Sequence, residues 1–359
     1  MSIKSKLEKK LTKEEIKKIE DIGLLNENTE NIFLQENQET LLSENNNDDI
    51  EILPIKIALE KYDFVKNYYF NLLKKNDINY KEKEDINGYF IWAKENYKGD
   101  FPVEACLYMT DELQEVHNVI IAEKNSELNI LSGCLSHLNG SGMHNAISEF
   151  YIKENAKVSF TMIHHWSEDV EVYPKTKINI EKNGLFINNY ISLEKVKSIK
   201  MYPEVFLNGE NAKAIFNSIS IAHENSVIDL GTKANLNKKN TSVEILSKNI
   251  TKGGLSIARG YIIGNEKNTK GHLNCEGLTL SNKGIIRAIP ELESNNMETS
   301  LTHEASIGKI NQDEIFYLES KGLSEEEATS LIIRGFLEFN TNNLPESIKY
   351  QISRSLNLY

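Results

Sequence analysis

The segment NTKGHLNC, residues 268–275, ends in one of only three cysteines among 359 residues. Twenty-eight positions further on lies His303, followed directly by Glu304. A thiol, an imidazole and a carboxylate brought within a few ångströms would make a metal or sulfur site. Thiolate is the soft ligand that iron–sulfur chemistry requires, and imidazole replaces it on some irons. A nearby imidazolium also lowers a thiol pKa, which favours sulfur transfer. The plain alternative is a buried cysteine used as a small apolar filler. A second set, LSGCLSHLNGSGMH, holds Cys134, His137 and His144. Cys-x-x-His resembles half a zinc site, but no second pair at finger spacing completes it. The HHW at 164–166 reads as a packed aromatic edge. No phosphate-binding G-x-x-x-x-G-K-[ST], no G-x-G-x-x-G after a strand and no G-x-S-x-G elbow occurs.

These residues sit on a repeat. Short alternations of apolar residues follow a recurring cue of a charged residue, Asn and a small residue, as in ENAKVSF (154–160), ENAKAIF (210–216) and KNTSVEI (239–245). The cue falls at 125, 155, 183, 211, 225, 240, 253, 268 and 282, a period near 28 with a half-period near 14. Period-two alternation rich in Val, Ile and Phe indicates strands, and a fixed period of this length indicates a repeat architecture. No helical pattern intervenes, so the expected fold is mainly β. It is a right-handed parallel β-helix core with N-terminal and C-terminal helical regions. An antiparallel sandwich with regular turns is the competing reading. The Asn or Gly sits where the chain must turn, as residues that tolerate left-handed backbone angles.

The repeat gives an expected register. Val158 and Phe160, or Val243 and Ile245, stand three and five places past their markers and are the inward apolar positions. Asn296 follows Asn268 by one period, so Cys275 and His303 each stand seven past a marker. They are expected to stack on adjacent rungs, facing inward, with Glu304 facing the other way.

The flanking regions differ in texture. Residues 1–100 read as helical and mixed, 101–310 as the β-helix core and 311–359 as a C-terminal helical region. Thr12 with Glu15 has capping-box spacing. Residues 26–51 are polar and weakly periodic, predicting a loop of weak order. Residues 55–75 carry Ala58, Tyr62, Val65, Tyr69 and Leu72 at helical spacing. Between 311 and 339 two helices are expected, the first ended by Gly322 and the second opened by a Ser324–Glu327 capping box. Ile315, Phe316, Leu318, Leu331, Ile332 and Phe336 supply their apolar faces. A last helix is expected over 344–356. The helices would shield an open end of the β-helix or form a docking surface.

Composition narrows the function classes. The apolar fraction of 40% allows a sizeable core. A net charge of −12 argues against binding nucleic acid or anionic membranes. No apolar run approaches the roughly 20 residues that span a bilayer, and no secretory h-region opens the chain. Three scattered cysteines are no disulfide framework, so a cytoplasmic setting is expected.

HLNCEGLTLSNKGIIRAIPELES and THEASIGKINQDEIFYLESKGLSEEEATSLIIRGF resemble the C-terminal signature of the SufB/SufD family of iron–sulfur cluster assembly scaffolds. QEVHNVIIAEKNSELNILSGC and MHNAISEFYIKENAKVSF resemble it further upstream. The resemblance spans about residues 50 to 340. It implies a β-helix scaffold, not itself an enzyme, on which a transient iron–sulfur cluster is built with an ABC-type ATPase, SufC. That partner would dock on the C-terminal helices, through Phe316, Tyr317, Leu318, Leu331, Ile332 and Phe336. Cys275 matches the SufB cysteine, His303 the shared motif histidine and Glu304 the SufB form of the next position. These three are the candidate cluster ligands. Cys134 falls at the upstream SufB cysteine implicated in receiving sulfur. The cysteine-rich N-terminal insertion of longer members is missing, as in the compact archaeal or anaerobic form. That form implies a homodimer joined through the C-terminal part of the β-helix and carrying two ATPase subunits. The other readings are a β-helix enzyme acting on polysaccharides, which would use exposed carboxylates, and a β-helix module without a cluster.

Overall fold

Asparagine sets the corners of this molecule. In the computed structural model, which describes residues 3–26, 28–74, 86–99, 101–137 and 141–337, Asn125, Asn155, Asn183, Asn211, Asn225, Asn240 and Asn268 all take left-handed φ values between 56° and 68°. Gly253 takes the same role at φ 128°. Only Gly visits this region freely, and Asn is among the few side chains that tolerate it. The asparagines also bond to one another along the molecule. Asn155 Nδ2 donates to Asn125 Oδ1 at 2.9 Å, Asn183 to Asn155 at 2.8 Å and Asn211 to Asn183 at 2.9 Å. A second ladder joins Asn208, Asn237, Asn265 and Asn295.

Between the corners run parallel strands in two facing sheets. One stacks Asn31–Glu36, Val103–Met109, Glu127–Ser136, Lys157–His165, Leu185–Ser192, Lys213–Ala222, Ser242–Thr251, Lys270–Thr279 and Ser300–Lys309. The other includes Tyr89–Ala93, Leu113–Ala122, Gly142–Ile152, Val227–Leu236, Leu255–Gly264 and Ile285–Ser294. The result is a parallel β-solenoid of about seven turns with short helices near both ends. Val158, Phe160, Val243 and Ile245 lie buried in the core between the sheets, as the alternation requires. Phe150, Phe186 and Phe216 form an interior aromatic stack with ring centroids 5.2 and 5.7 Å apart.

The flanks dress the outside of the solenoid. Helices α1 (Ile3–Leu7) and α2 (Lys13–Asp21) share a second apolar cluster with outward residues such as Ile163, Ile191 and Ile250. The capping box of Thr12 and Glu15 is formed. Helix α3 (Ile55–Lys61) covers Phe90, Val119 and Ile121 on the other sheet. At the far end α4 (Gln312–Glu319) and α5 (Glu325–Leu337) form a helical pair. Gly322 ends the first at φ 100°, and Ser324 with Glu327 caps the second. Ile333 and Leu337 join the outer cluster with Leu278. The helix expected at 344–356 lies outside the described residues.

Two local expectations are corrected. Residues 26–51 are not a loop. Asn31–Glu36 and Glu39–Glu44 make an antiparallel hairpin, and Ile50–Pro54 is a third strand. Asn37 turns the hairpin at φ 48°. Ile32, Phe33 and Leu34 are fully buried, enough apolar content to outweigh the polar surroundings. The stretch 55–75 is helical only through Lys61. A 3₁₀ turn follows at Asp63–Asn67, and Phe70 takes φ 56°. The buried Glu149 carboxylate explains the break. It accepts the backbone N–H groups of Phe70, Leu72 and Leu73 at 2.8, 2.6 and 3.0 Å. Those amides would otherwise continue a helix.

Candidate functional site

The last turn of the solenoid differs from the others in being open. On Ser300–Lys309, Leu301, His303, Ala305 and Ile307 share the parity that faces the interior, yet His303, Ala305 and Ile307 are exposed. Pro290 and Leu292 on Ile285–Ser294 are exposed likewise. One strand earlier Cys275 is only 2% exposed and belongs to the interior core. Burial pushes its thiol pKa up, and a hydrogen bond with Ser247 opposes that. The site is therefore a neutral thiol at the mouth of an interior whose end is left uncovered by the other described residues.

The expected register is corrected here. Cys275 pairs with Ala305, and His303 pairs with Leu273. The turn before Ile285–Ser294 runs from Leu280 to Gly284, whereas the turn before Leu255–Gly264 runs only from Lys252 to Gly254. Two extra residues shift the next rung, so Asn296 is not the counterpart of Asn268 and has no left-handed φ. His303 still faces the same side as Cys275, displaced by one inward position. Glu304 pairs with Asn274 on the opposite parity and is exposed. Among the described residues no group of three His, Cys, Asp or Glu side chains is arranged to hold a metal ion. One chain thus offers Cys275 and His303 on one face, with Glu304 on the other.

Cys134 lies deep in the molecule. It pairs with Leu107 on one side and His164 on the other, and its Sγ is 3.6 Å from Met162 Sδ. Burial raises its thiol pKa strongly. His144 is buried too, its Nδ1 2.8 Å from Gln114 Oε1, and burial pushes its pKa down to about 3. His137 is exposed beside Lys18 instead, so the Cys-x-x-His pair does not converge. His164 and Trp166 are packed edges, as read from the sequence, with ring centroids 5.3 Å apart.

A lane of polar residues links the two cysteines. Registered pairs carry Cys275 back through Ser247, Ser218 and Tyr190 to Met162. The neighbouring inward column runs from Cys134 through His164, Ser192, Ser220 and Asn249 to Gly277. Ser192, Ser220 and Asn249 are buried in what is otherwise an apolar interior. Five strand spacings separate the cysteines, about 24 Å at the usual distance between strands. The sequence holds the signal for this lane, since stepping back one turn at a time from Cys275 reaches each member of the first column.

Of the C-terminal surface residues, Phe316, Tyr317 and Leu331 are largely exposed. Leu318 and Ile332 are half-buried, and Phe336 packs on the outer cluster under the Lys248 ammonium, 5.3 Å from its ring. No helix among the described residues is long and apolar enough to cross a membrane.

Comparison with known proteins draws these features together. Residues 107–336 match the model of the SUF system FeS cluster assembly SufBD core domain. The chain is 48% identical over 331 residues to an iron–sulfur cluster assembly SufBD family protein of Archaeoglobus fulgidus, covering 91% of this chain and 89% of that one. A Methanothermobacter thermautotrophicus relative of the same description is 39% identical, over 91% of this chain and 82% of its own. One from Pyrococcus horikoshii is 35% identical, over 86% and 70%. These matches replace the polysaccharide-acting reading. This β-solenoid, with a buried thiol at its open end and a polar lane behind it, belongs to the SufBD family of iron–sulfur cluster assembly proteins.

Proposed function

We propose that this chain is the scaffold of a Suf-type assembly complex, with the nascent cluster held at the open last turn by Cys275 and by His303 or Glu304. The observation that carries the reading is the pairing of a solvent-facing interior with two inward donors. Iron–sulfur clusters take about four protein ligands, and one chain brings too few to one face. A second copy placed against the open turn would supply the rest and cover Pro290, Leu292 and Ile307, which are exposed in a single chain. That supports a homodimer joined through the C-terminal part of the solenoid. Glu304, on the other parity, reaches the site only from such an edge.

Cys134 is the entry point for sulfur in this reading. Once an opening of the turns around it lets a donor in and the thiol is deprotonated, Cys134 attacks the outer sulfur of a donor persulfide, giving a Cys134 persulfide and the donor thiol with no net oxidation. The buried polar lane supports onward passage to Cys275. The exposed Phe316, Tyr317 and Leu331 suit docking of an ABC-type ATPase, which would hydrolyse the ATP while this chain performs no catalysis of its own. The setting would be the cytoplasm.

Anaerobic reconstitution with iron and sulfide, followed by Mössbauer spectroscopy, tests the site. Wild type should yield a cluster signal that Cys275→Ser removes. An unchanged spectrum in that variant overturns the assignment, and iron-free protein from strictly anaerobic purification of the complex would favour a module without a cluster.

A further inference from the structure

The lane begins at a cavity of about 40 Å³, lined among others by Cys134, Met162, His144, His164 and Tyr190. A polar void needs only about 10–15 Å³ to admit a water-sized guest, so one ion fits. Its donors are unusual for a solenoid core. Two sulfur atoms, the Cys134 thiol and the Met162 thioether, approach to 3.6 Å. His164 is the direct register partner of Cys134 and is buried. Its Nδ1 lies 2.7 Å from the Tyr190 hydroxyl, and its ring lines the cavity beside Cys134 and Met162. With Nδ1 protonated and donating to that oxygen, as in many metal-binding histidines, Nε2 would be left open to a metal.

From this geometry we infer that the cavity is a binding site for one soft monovalent metal ion, Cu(I) or its analogue Ag(I), held by Cys134, Met162 and the Nε2 of His164. Thioether and thiolate sulfur select soft ions over hard divalent ones. The charge balance points the same way. A thiolate with a monovalent cation is neutral, whereas a divalent ion would leave net charge in an interior that penalises it. Binding replaces the Cys134 proton by the metal, and that proton leaves to solvent. No electron transfer is involved. The site is separate from the last turn, since Cys275 lies five strands away along the same sheet.

The test uses the full chain, reduced and without air, titrated with Cu(I) buffered by a chromophoric chelator. One Cu(I) per chain should bind with release of one proton, and the emission of Trp166 should change, its ring lying 4.7 Å from that of His144. Cys134→Ser should abolish binding, and Met162→Leu and His164→Gln should each weaken it by about tenfold or more. Cys275→Ser should leave it unchanged. Copper absorption spectroscopy on wild type should find two sulfur neighbours, a readout independent of whether any variant folds. Tight binding retained in Met162→Leu, loss of the site in Cys275→Ser, or a single sulfur neighbour would overturn the inference.

Discussion

The turns around Cys134 and the turn that follows Cys275 are made of the same repeat, but they meet water differently. Around Cys134, inward residues find a facing sheet and further rungs above and below, so Phe186 and Tyr190 are almost wholly buried. At Ser300–Lys309 the same parity finds a rung on one side only, and His303 and Ile307 stand exposed. A repeat protein buries each unit against its neighbours, so its final unit carries an unfinished face. Burial at Cys134 and Cys275 raises both thiol pKa values, with desolvation as the largest cause. The closed region suits holding and passing small species. The open one suits assembling something larger with a partner.

The sharpest way to break this contrast is functional. Cys275→Ser should lose essentially all reconstituted cluster whatever the sulfur source. Cys134→Ser should still assemble a cluster from inorganic sulfide but fail when sulfur comes from a persulfide donor. Equal behaviour of the two variants would erase the distinction between the regions.

Stability offers the next largest contrast. Phe186→Ala, which opens the interior stack, should cost about 3–5 kcal/mol in urea unfolding. Ile307→Ala should change the stability of the monomer by no more than about 0.5 kcal/mol. It should instead weaken self-association in sedimentation at micromolar protein. A large monomer effect at Ile307 would mean that the last turn is already covered.

The pH dependence comes third. His144 has its folded pKa near 3, below the unfolded value of 6.5. Below pH 6.5 the unfolded chain binds a proton that the folded chain refuses, so stability is full above 6.5 and falls with acidity towards 3. The slope should reach about 1.4 kcal/mol per pH unit for this residue, and His164, shifted in the same direction, adds to it. His144→Gln should flatten the curve between pH 6 and 4. A His144→Gln curve as steep as that of the wild type would count against the burial of this imidazole.

The smallest effect tests the corners. Asn211→Ala removes two ladder hydrogen bonds, with Asn183 and Asn240, and places alanine at φ 60°, at a cost of about 1–2 kcal/mol. Asn211→Gly should recover part of this by relieving the backbone. Asn296→Ala should cost less, because Asn296 occupies no left-handed corner and its side chain accepts from the Glu298 amide rather than joining a ladder. Thermal unfolding of the three variants ranks them.

Much of the architecture was legible in the residues themselves. Left-handed corners exclude most side chains, so Asn125, Asn155, Asn183, Asn211, Asn225, Asn240 and Asn268 marked every turn at which they recur. Two-residue alternation then fixed which side chains face inward, Cys275 among them. Capping boxes at Thr12 and Ser324 are local chemistry and read directly. The resemblance of the C-terminal motifs pointed to the family that the comparisons bear out. What failed to read was whatever a distant partner decides. The helix expected beyond Lys61 gives way because Glu149, some 80 residues away, captures its amides. The hairpin at 31–44 was hidden by its polar neighbours and forms because Val103–Met109 extends it into a sheet.

The sequence alone therefore determined the period, the corners, the inward parity of Cys275 and His303, and the absence of phosphate-binding motifs. Each follows from constraints that act within a few residues. The tertiary structure alone decided the register of His303 against Leu273. Two additional residues in the Leu280–Gly284 turn move every later position, and only pairing with the preceding rung reveals the shift. It alone gathered Cys134, Met162 and His164 around one cavity and left the last turn open. Enclosure and exposure are properties of neighbouring rungs, which no single stretch of chain contains.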